Sequence, residues 1–313
     1  MTTALLSRVA ESLFWIGRYV ERAEGTARIL DVVVHHALEE PTAHGEIMAE
    51  RLVDAMGVTP AKQMSLGEAT QLMCFESESG SSITGALAAA RENARAVRQV
   101  LPSELWERVN TTWVNLPAQQ LQSRRRGPSA FLAWVKVQTA AVAGLADTTM
   151  SHDQTWLFFT LGRAIERADM TARLLGTMPL DVLTDTGLVT LLRSCGGHEP
   201  YLRQASGIID AVGVISFLLC DGLFPRSVLC SISSAAACID AIGANRRAGW
   251  DRARGEIGMA RAELEFLAPG QVLEDMPLRL LRVHSACSRA SDSIARQYFA
   301  QGPATLWRNK TAP

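Results

Sequence analysis

No stretch of this 313-residue sequence alternates apolar and polar residues over a useful length, and no Asn-Gly pair marks a hairpin. That leaves little from which to build a sheet. The six cysteines, at 74, 195, 220, 230, 238 and 287, form no Cys-x-x-Cys and no metal-ligand spacing. Several stand in apolar or small-residue runs, where cysteine behaves as a small hydrophobe, and this usage suits a reducing, cytoplasmic compartment. Long apolar runs are missing as well. The longest, Ile208 to Cys220, is interrupted by Asp210 and too short to cross a bilayer, and the first residues lack the apolar core of a signal peptide. Neither sign of charge dominates: at a net charge of −1 no overall field draws the chain to nucleic acid or to an anionic membrane.

Motifs that carry chemistry are equally scarce. There is no Gly-x-Ser-x-Gly elbow for a nucleophile, no Walker A or Rossmann glycine pattern, and no pair of Glu-x-x-His motifs for a di-iron bundle. His35-His36 with Glu39-Glu40 make i,i+4 pairs, but Leu180-Asp181 stand at the corresponding place in the second half, and a histidine near a helix end partners the helix dipole. His152, His198 and His284 stand singly and read as structural. The chain needs no cofactor or metal of its own on this reading. The basic run Arg124-Arg125-Arg126 precedes Gly127-Pro128 and reads as a solvated loop. The tryptophans do not interleave with basic residues as a nucleic-acid surface requires, and read as core or interface.

What the sequence does contain is a stretch that occurs twice. Phe14 to Leu30 and Phe159 to Leu175 match at ten of seventeen positions with an offset of 145, and Glu24 to Asp169 keeps the acid. A repeat of this kind fixes architecture before any residue has a role. At helical period, Trp15, Ile16, Tyr19, Val20, Ala23, Ala27 and Leu30 share one face. Arg18, Glu21, Arg22, Glu24, Gly25 and Arg28 share the other, repeated as Arg163, Glu166, Arg167, Asp169 and Arg173. Two readings follow. Either these are solvated faces laced with i,i+4 pairs, or the two faces meet or line one cleft as an Arg/Glu network whose planar guanidiniums hold carboxylates or an anionic ligand.

In chain order, helices are expected from Ser7 to about Glu40, near Gly67 to Phe75, through the alanine-rich Ser82 to Leu101, and from Pro102 to about Asn115. A last one, Ser129 to Met150, precedes a restart at Ser151. The offset persists: Ser82-Ile83 falls on Ser227-Val228 and Asp147 on Asp292. The expected fold is all-α: a helical bundle of two tandemly duplicated units, 1–150 and 151–313, fused into one body because no Pro/Gly/Ser linker separates them. The halves differ in the alanine-rich helix, where Arg91, Glu92, Asn93 and Arg95 align with Ala236, Ala237, Cys238 and Asp240. Either the second helix is more buried, or one asymmetric site uses both opening helices and a single alanine-rich one.

With these residues in view, the chain resembles the bacterial alpha-E family. The resemblance is carried by the opening segment LSRVAESLFWIGRYVERAEGTARILDV, by Glu92-Asn93-Ala94-Arg95 as the family's Glu-x-x-Arg, by LGRAIERADMTARLL, and by the turn Phe224-Pro225-Arg226-Ser227. It implies an all-helical protein whose genes lie beside those for a circularly permuted ATP-grasp protein, transglutaminase-like proteases and in some cases an Ntn-type hydrolase, which makes the ATP-grasp protein, with a transglutaminase-like protein, the expected partner. That setting implies ATP-dependent amide-bond formation on a peptide, with ATP bound by a partner. By position, Glu21, Arg22, Glu24, Arg28, Glu92, Arg95, Glu166, Arg167, Asp169, Arg173 and Arg226 match the family's charged pattern; Arg18 and Arg163 extend it on the repeated face. The expectation is an accessory protein of a carboxylate–amine ligase, holding a carboxylate-bearing peptide or the ligase itself in an Arg/Glu-lined cleft. The alternative is a stand-alone enzyme using Glu/Arg acid–base or anion-stabilising chemistry there. A homo-oligomer is compatible with either.

Overall fold

The computed structural model describes residues 7–39, 53, 56, 64–177, 184–243 and 251–299. Among them every regular element is a helix. α1 spans Ser7–Glu39, α2 Leu66–Phe75, α3 Ile83–Ala96, α4 Ser103–Arg126, α5 Ser129–Thr149 and α6 Gln154–Gly176. α7 spans Asp185–Cys195, α8 His198–Gln204, α9 Ala211–Cys220, α10 Val228–Gly243, α11 Arg252–Glu265 and α12 Met276–Tyr298, with short 3-10 turns at Arg98–Val100 and Pro269–Gln271.

The starts of these helices are written locally. Ser65 caps α2 with a full capping box to Glu68, and Ser82, Asp153, Thr184, Asp210 and Asp251 each accept a backbone N–H of the first turn of the helix they precede. Several of these devices recur at the offset of the sequence repeat. α2 and α9 begin and end 145 residues apart, and their caps Ser65 and Asp210 do too. Ser82 donates its hydroxyl to the Glu76 carbonyl and Ser227 to that of Asp221, again at matching positions.

Packing centres on α1 and α6. α1 lies against α6, α3 and α5, while α6 lies against α1, α10 and α12; α4 covers α3 and α5 as α11 covers α10 and α12. One hydrophobic core runs through both halves, with Phe14, Tyr19, Phe131, Phe158 and Phe159 among its largest fully buried side chains. Trp15, Trp106, Trp113, Trp134 and Trp156 pack partly buried against it, while Trp250 and Trp307 lie outside the described residues. All six cysteines are free thiols, and burial pushes Cys74, Cys195 and Cys238 up to about 12.

Three local expectations are corrected. α4 does not stop near Asn115. It continues through Pro117 to Arg126, because Leu105, Val109, Thr112, Leu116 and Ser123 keep one buried stripe across the proline. Arg124-Arg125-Arg126 therefore form its last turn rather than a loop, where cations complement the helix dipole, and Gly127 at φ 87° ends it. The alanine-rich helix ends at Ala96, with a separate 3-10 turn after it. By length and composition, one described helix, α5, is long and apolar enough to cross a membrane; its Phe131, Leu132, Val135, Val142 and Ala146 face the core. The expected end of α1 near Glu40 lies outside the described residues.

Candidate functional site

Two glycines bring the central helices into backbone contact. A Cβ on Gly17 would stand 2.1 Å from the Phe159 carbonyl oxygen, and one on Gly162 2.1 Å from that of Phe14. No side chain fits between α1 and α6 at that level. From there the contacts advance in step, Arg18 and Arg22 on Glu166, Glu21 on Arg167, Gly25 on Met170, so the helices run in the same direction.

That crossing brings the two charged faces together, which removes the solvated-face reading. Glu21 is 1% exposed, Glu166 3%, Asp169 6% and Glu24 8%. The pairs are reciprocal. Arg22 donates Nε and Nη2 to the two oxygens of Glu166 at 2.5 and 3.0 Å, while Arg167 donates Nε and Nη2 to Glu21 at 2.7 Å each. Both arginines place Nη1 on a loop carbonyl, Arg22 on Gly80 at 3.2 Å and Arg167 on Pro225 at 3.3 Å. Arg18 adds its Nε to Glu166 and its Nη1 to Ser291. A planar fork on a carboxylate fixes two donors and their direction, so these pairs set the rotation of α1 against α6.

The reciprocity is broken at one corner. Arg226, on the loop between α9 and α10, reaches Glu21 with Nη1 at 3.1 Å and Glu24 with Nη2 at 2.6 Å. Arg163, the counterpart of Arg18, is left 3.6 Å from both Glu21 and Asp147, and its buried Nε has no hydrogen-bond partner. The loop that supplies Arg226 is well held. Asp221 Oδ1 accepts the Leu223 and Phe224 N–H groups, Phe224 stacks on Phe217 with centroids 4.7 Å apart, and Thr171 on α6 donates to the Arg226 carbonyl. Each end of the network has an i,i+4 pair: Arg28 with Glu24 at 2.8 Å and Arg173 with Asp169 at 3.1 Å. His284 joins Asp169 through Nδ1 at 2.6 Å.

Burial pushes the Glu166 carboxyl up, but the guanidiniums of Arg18 and Arg22 outweigh it and hold the group at about 2 against an ordinary 4.5. Burial likewise opposes ionisation of Glu21, and Arg167, Arg226 and Arg163 hold it well below the usual carboxylate range. Both acids stay ionised, which makes them poor proton donors. Seven guanidiniums, of Arg18, Arg22, Arg28, Arg163, Arg167, Arg173 and Arg226, thus surround four buried carboxylates, with a half-exposed Asp147 at the edge.

Glu92 and Arg95 are not part of this assembly. On α3, Glu92 binds Arg91 at 2.8 Å and Arg95 at 2.7 Å, while Arg91 also bonds Asn110. The aligned segment of α10 is not more buried throughout, since Ala237 and Asp240 are exposed and Asp240 pairs with Arg254 at 2.7 Å. Gly80, Asp147 and Ser291 join the network without having been proposed as site residues, and His284, read from the sequence as a structural residue standing singly, bonds Asp169 within it. For Asp147, its alignment with Asp292 was the available signal. Nothing in the sequence marked Ser291, a lone hydroxyl, whereas Gly80, which contributes a backbone oxygen, stands 145 residues before Pro225 of the Phe224–Ser227 turn.

Comparison with known proteins adds the following. The family model Alpha-E, described as a predicted alpha-helical domain with a conserved ER motif, matches residues 5–299. Glu-Arg dipeptides stand at the centre of the network, Glu21-Arg22 and Glu166-Arg167. Uncharacterized proteins of Mycobacterium bovis and of two strains of Mycobacterium tuberculosis are each 26% identical over 88% of this chain. The alignment covers 32% of those proteins, so the chain spans about a third of the length of the curated relatives it matches. No solved structure matches. With the match running over nearly the whole described chain, the protein belongs to the alpha-E family.

Proposed function

We propose that this chain is a cytoplasmic, non-catalytic helical partner of an ATP-grasp-type carboxylate–amine ligase, and that its arginine-rich network recognises the carboxylate of a peptide or an acidic surface of the ligase. The observation that carries this reading is the charge imbalance: seven guanidiniums against five carboxylates, four buried and Asp147 at the edge. Excess cationic charge in a partly dehydrated setting attracts an anion, and Arg forks match carboxylate geometry. Ionised, tightly paired glutamates favour binding over acid–base catalysis. The transglutaminase-like partner and the peptide substrate belong to the same reading.

The architecture is read as a tandem duplication of one helical unit. Supporting it are the shared offset of helix bounds, caps and loop carbonyls, together with the repeated opening segment. The test is co-purification of the ligase with the wild-type chain and with Arg226→Ala. The expected result is association that Arg226→Ala weakens at least tenfold, with ligase activity falling when this chain is withheld. Unchanged ligase activity together with no association would refute the reading.

A further inference from the structure

The Arg/Glu network leaves one charged motif unused, Arg124-Arg125-Arg126 in the last turn of α4. It closes a row of exposed residues that runs along most of that helix: Glu107, Thr111, Val114, Ala118, Leu121 and Arg125. Their spacings, 4, 3, 4, 3 and 4, are those of a coiled-coil seam. At 3.6 residues per turn all six fall within a stripe about 80° wide. The row faces away from the core, towards which α4 turns Leu105, Val109, Thr112 and Leu116. Val114 is 64% exposed and Leu121 51%, so the middle of the row leaves large apolar side chains in water.

The row is its own complement. Turned end over end about the level of Leu116, Glu107 comes opposite Arg125, Thr111 opposite Leu121 and Val114 opposite Ala118, because the members of each pair lie equally far from that residue. Each inner layer then sets a larger side chain against a smaller one, and each end sets an acid against a base. Those are the matches that a self-complementary two-fold contact requires. Neither Glu107 nor Arg125 has a hydrogen bond or an ion pair of its own among the described residues. Pro117 stands about 80° round the helix from the middle of the row, so a bend there is sideways to the contact. A two-fold axis turns that bend the same way in both copies, and the two rows stay aligned. Met259 and Ala262 on α11 form another exposed apolar row, but it starts at Arg252 and reaches Phe266 with no acid at that end.

We infer that α4 is where two copies of this chain meet, antiparallel and face to face, with Val114 and Ala118 of each at the centre and a Glu107–Arg125 pair at either end. No residue of the arginine network lies on α4, and the contact makes no use of it. One helix per copy, in contact over about 27 Å, buries less than the roughly 800 Å² per partner of a stable interface, so dimer and monomer should exchange. Sedimentation velocity of the full chain over about 1–100 µM tests this. A concentration-dependent shift from monomer to dimer is expected, weakened at least tenfold by Val114→Glu. Arg125→Glu or Glu107→Arg sets like charges together at both ends and should weaken it at least fivefold. The double variant Glu107→Arg/Arg125→Glu restores opposite charges and should return to within about threefold of wild type. All these positions are exposed, so circular dichroism melts should show an intact fold, and Met259→Glu should leave the dimer unaffected. A chain that stays monomeric over the whole range, a dimer indifferent to Val114→Glu, or a double reversal no better than the single ones would overturn the assignment. A dimer lost on Met259→Glu but kept on Val114→Glu would overturn it too and move the contact to α11.

Discussion

Three glycine-to-alanine changes at helical positions probe the α1–α6 crossing with one chemistry and three expected signs. In a helix interior the change alone favours folding by about 1 kcal/mol, because glycine has more freedom to lose. At Gly144, on α5, a Cβ meets nothing within 4 Å, so this gain should appear whole and raise stability by about 1 kcal/mol. At Gly25 the added carbon would approach the Met170 terminal methyl at 2.5 Å and sulfur at 2.8 Å. A thioether end can swing away, and its repacking should cancel the gain to within about 1 kcal/mol. At Gly17 the obstacle is the Phe159 carbonyl oxygen at 2.1 Å, with the Arg163 nitrogen at 3.1 Å. Backbone cannot turn aside, so α1 and α6 must part by about 1 Å, beyond ordinary overpacking, with a loss of at least about 3 kcal/mol. The parting would also stretch Arg22–Glu166 and Arg167–Glu21, both set just above that level. Urea unfolding followed by circular dichroism measures all three, read as midpoint shifts at constant slope. A Gly17→Ala protein as stable as Gly144→Ala, or Gly25→Ala as damaged as Gly17→Ala, would refute the reasoning.

Further outcomes are expected from the charges and thiols. Glu166 is held at about 2 when folded against an ordinary 4.5, so its contribution is full above 4.5 and drains as pH falls towards 2. Glu166→Gln should lose about 3 kcal/mol at pH 7, and its deficit against wild type should shrink across that acid window in urea titrations; a pH-independent deficit would contradict it. Arg167→Ala strands Glu21, 1% exposed, beside fewer cations and should destabilise by about 3–5 kcal/mol, while Arg124→Ala at the end of α4 should change thermal stability little. Burial that pushes Cys74, Cys195 and Cys238 up to about 12 predicts that a thiol-selective disulfide reagent labels them only as the chain unfolds; prompt labelling of the native protein would exclude that environment.

Helices were legible where local rules dominate. Ser82 marked the start of its helix, and the period of Ile16, Tyr19, Ala23 and Leu30 gave the buried side of α1, whereas the capping box of Ser65 was passed over. The same periodicity could not say that Glu21 and Glu24 are buried as well, since period reports one preferred face and α1 has neighbours on several sides. Local rules also misplaced the end of α4: proline disfavours a helix interior by itself, and a stripe of buried side chains overrode it. At the site, the repeated charges identified which residues to watch but not who partners whom. Glu24 and Arg28 pair along one helix as spacing suggests, whereas Glu21 and Arg167 are 146 residues apart and meet only because Gly17 and Gly162 let the helices touch.

The exchange of charge across that contact makes the halves mutually dependent. Glu166 is neutralised by Arg18 and Arg22 from the amino-terminal half, and Glu21 by Arg167 and Arg226 from the carboxy-terminal half. A fragment holding either half alone would lose both the counter-charges of its acid and the apolar surface that α1 and α6 bury against each other. Severed between α5 and α6, the polypeptide should therefore regain its structure only when both pieces are present, each acting as an obligatory subunit for the other.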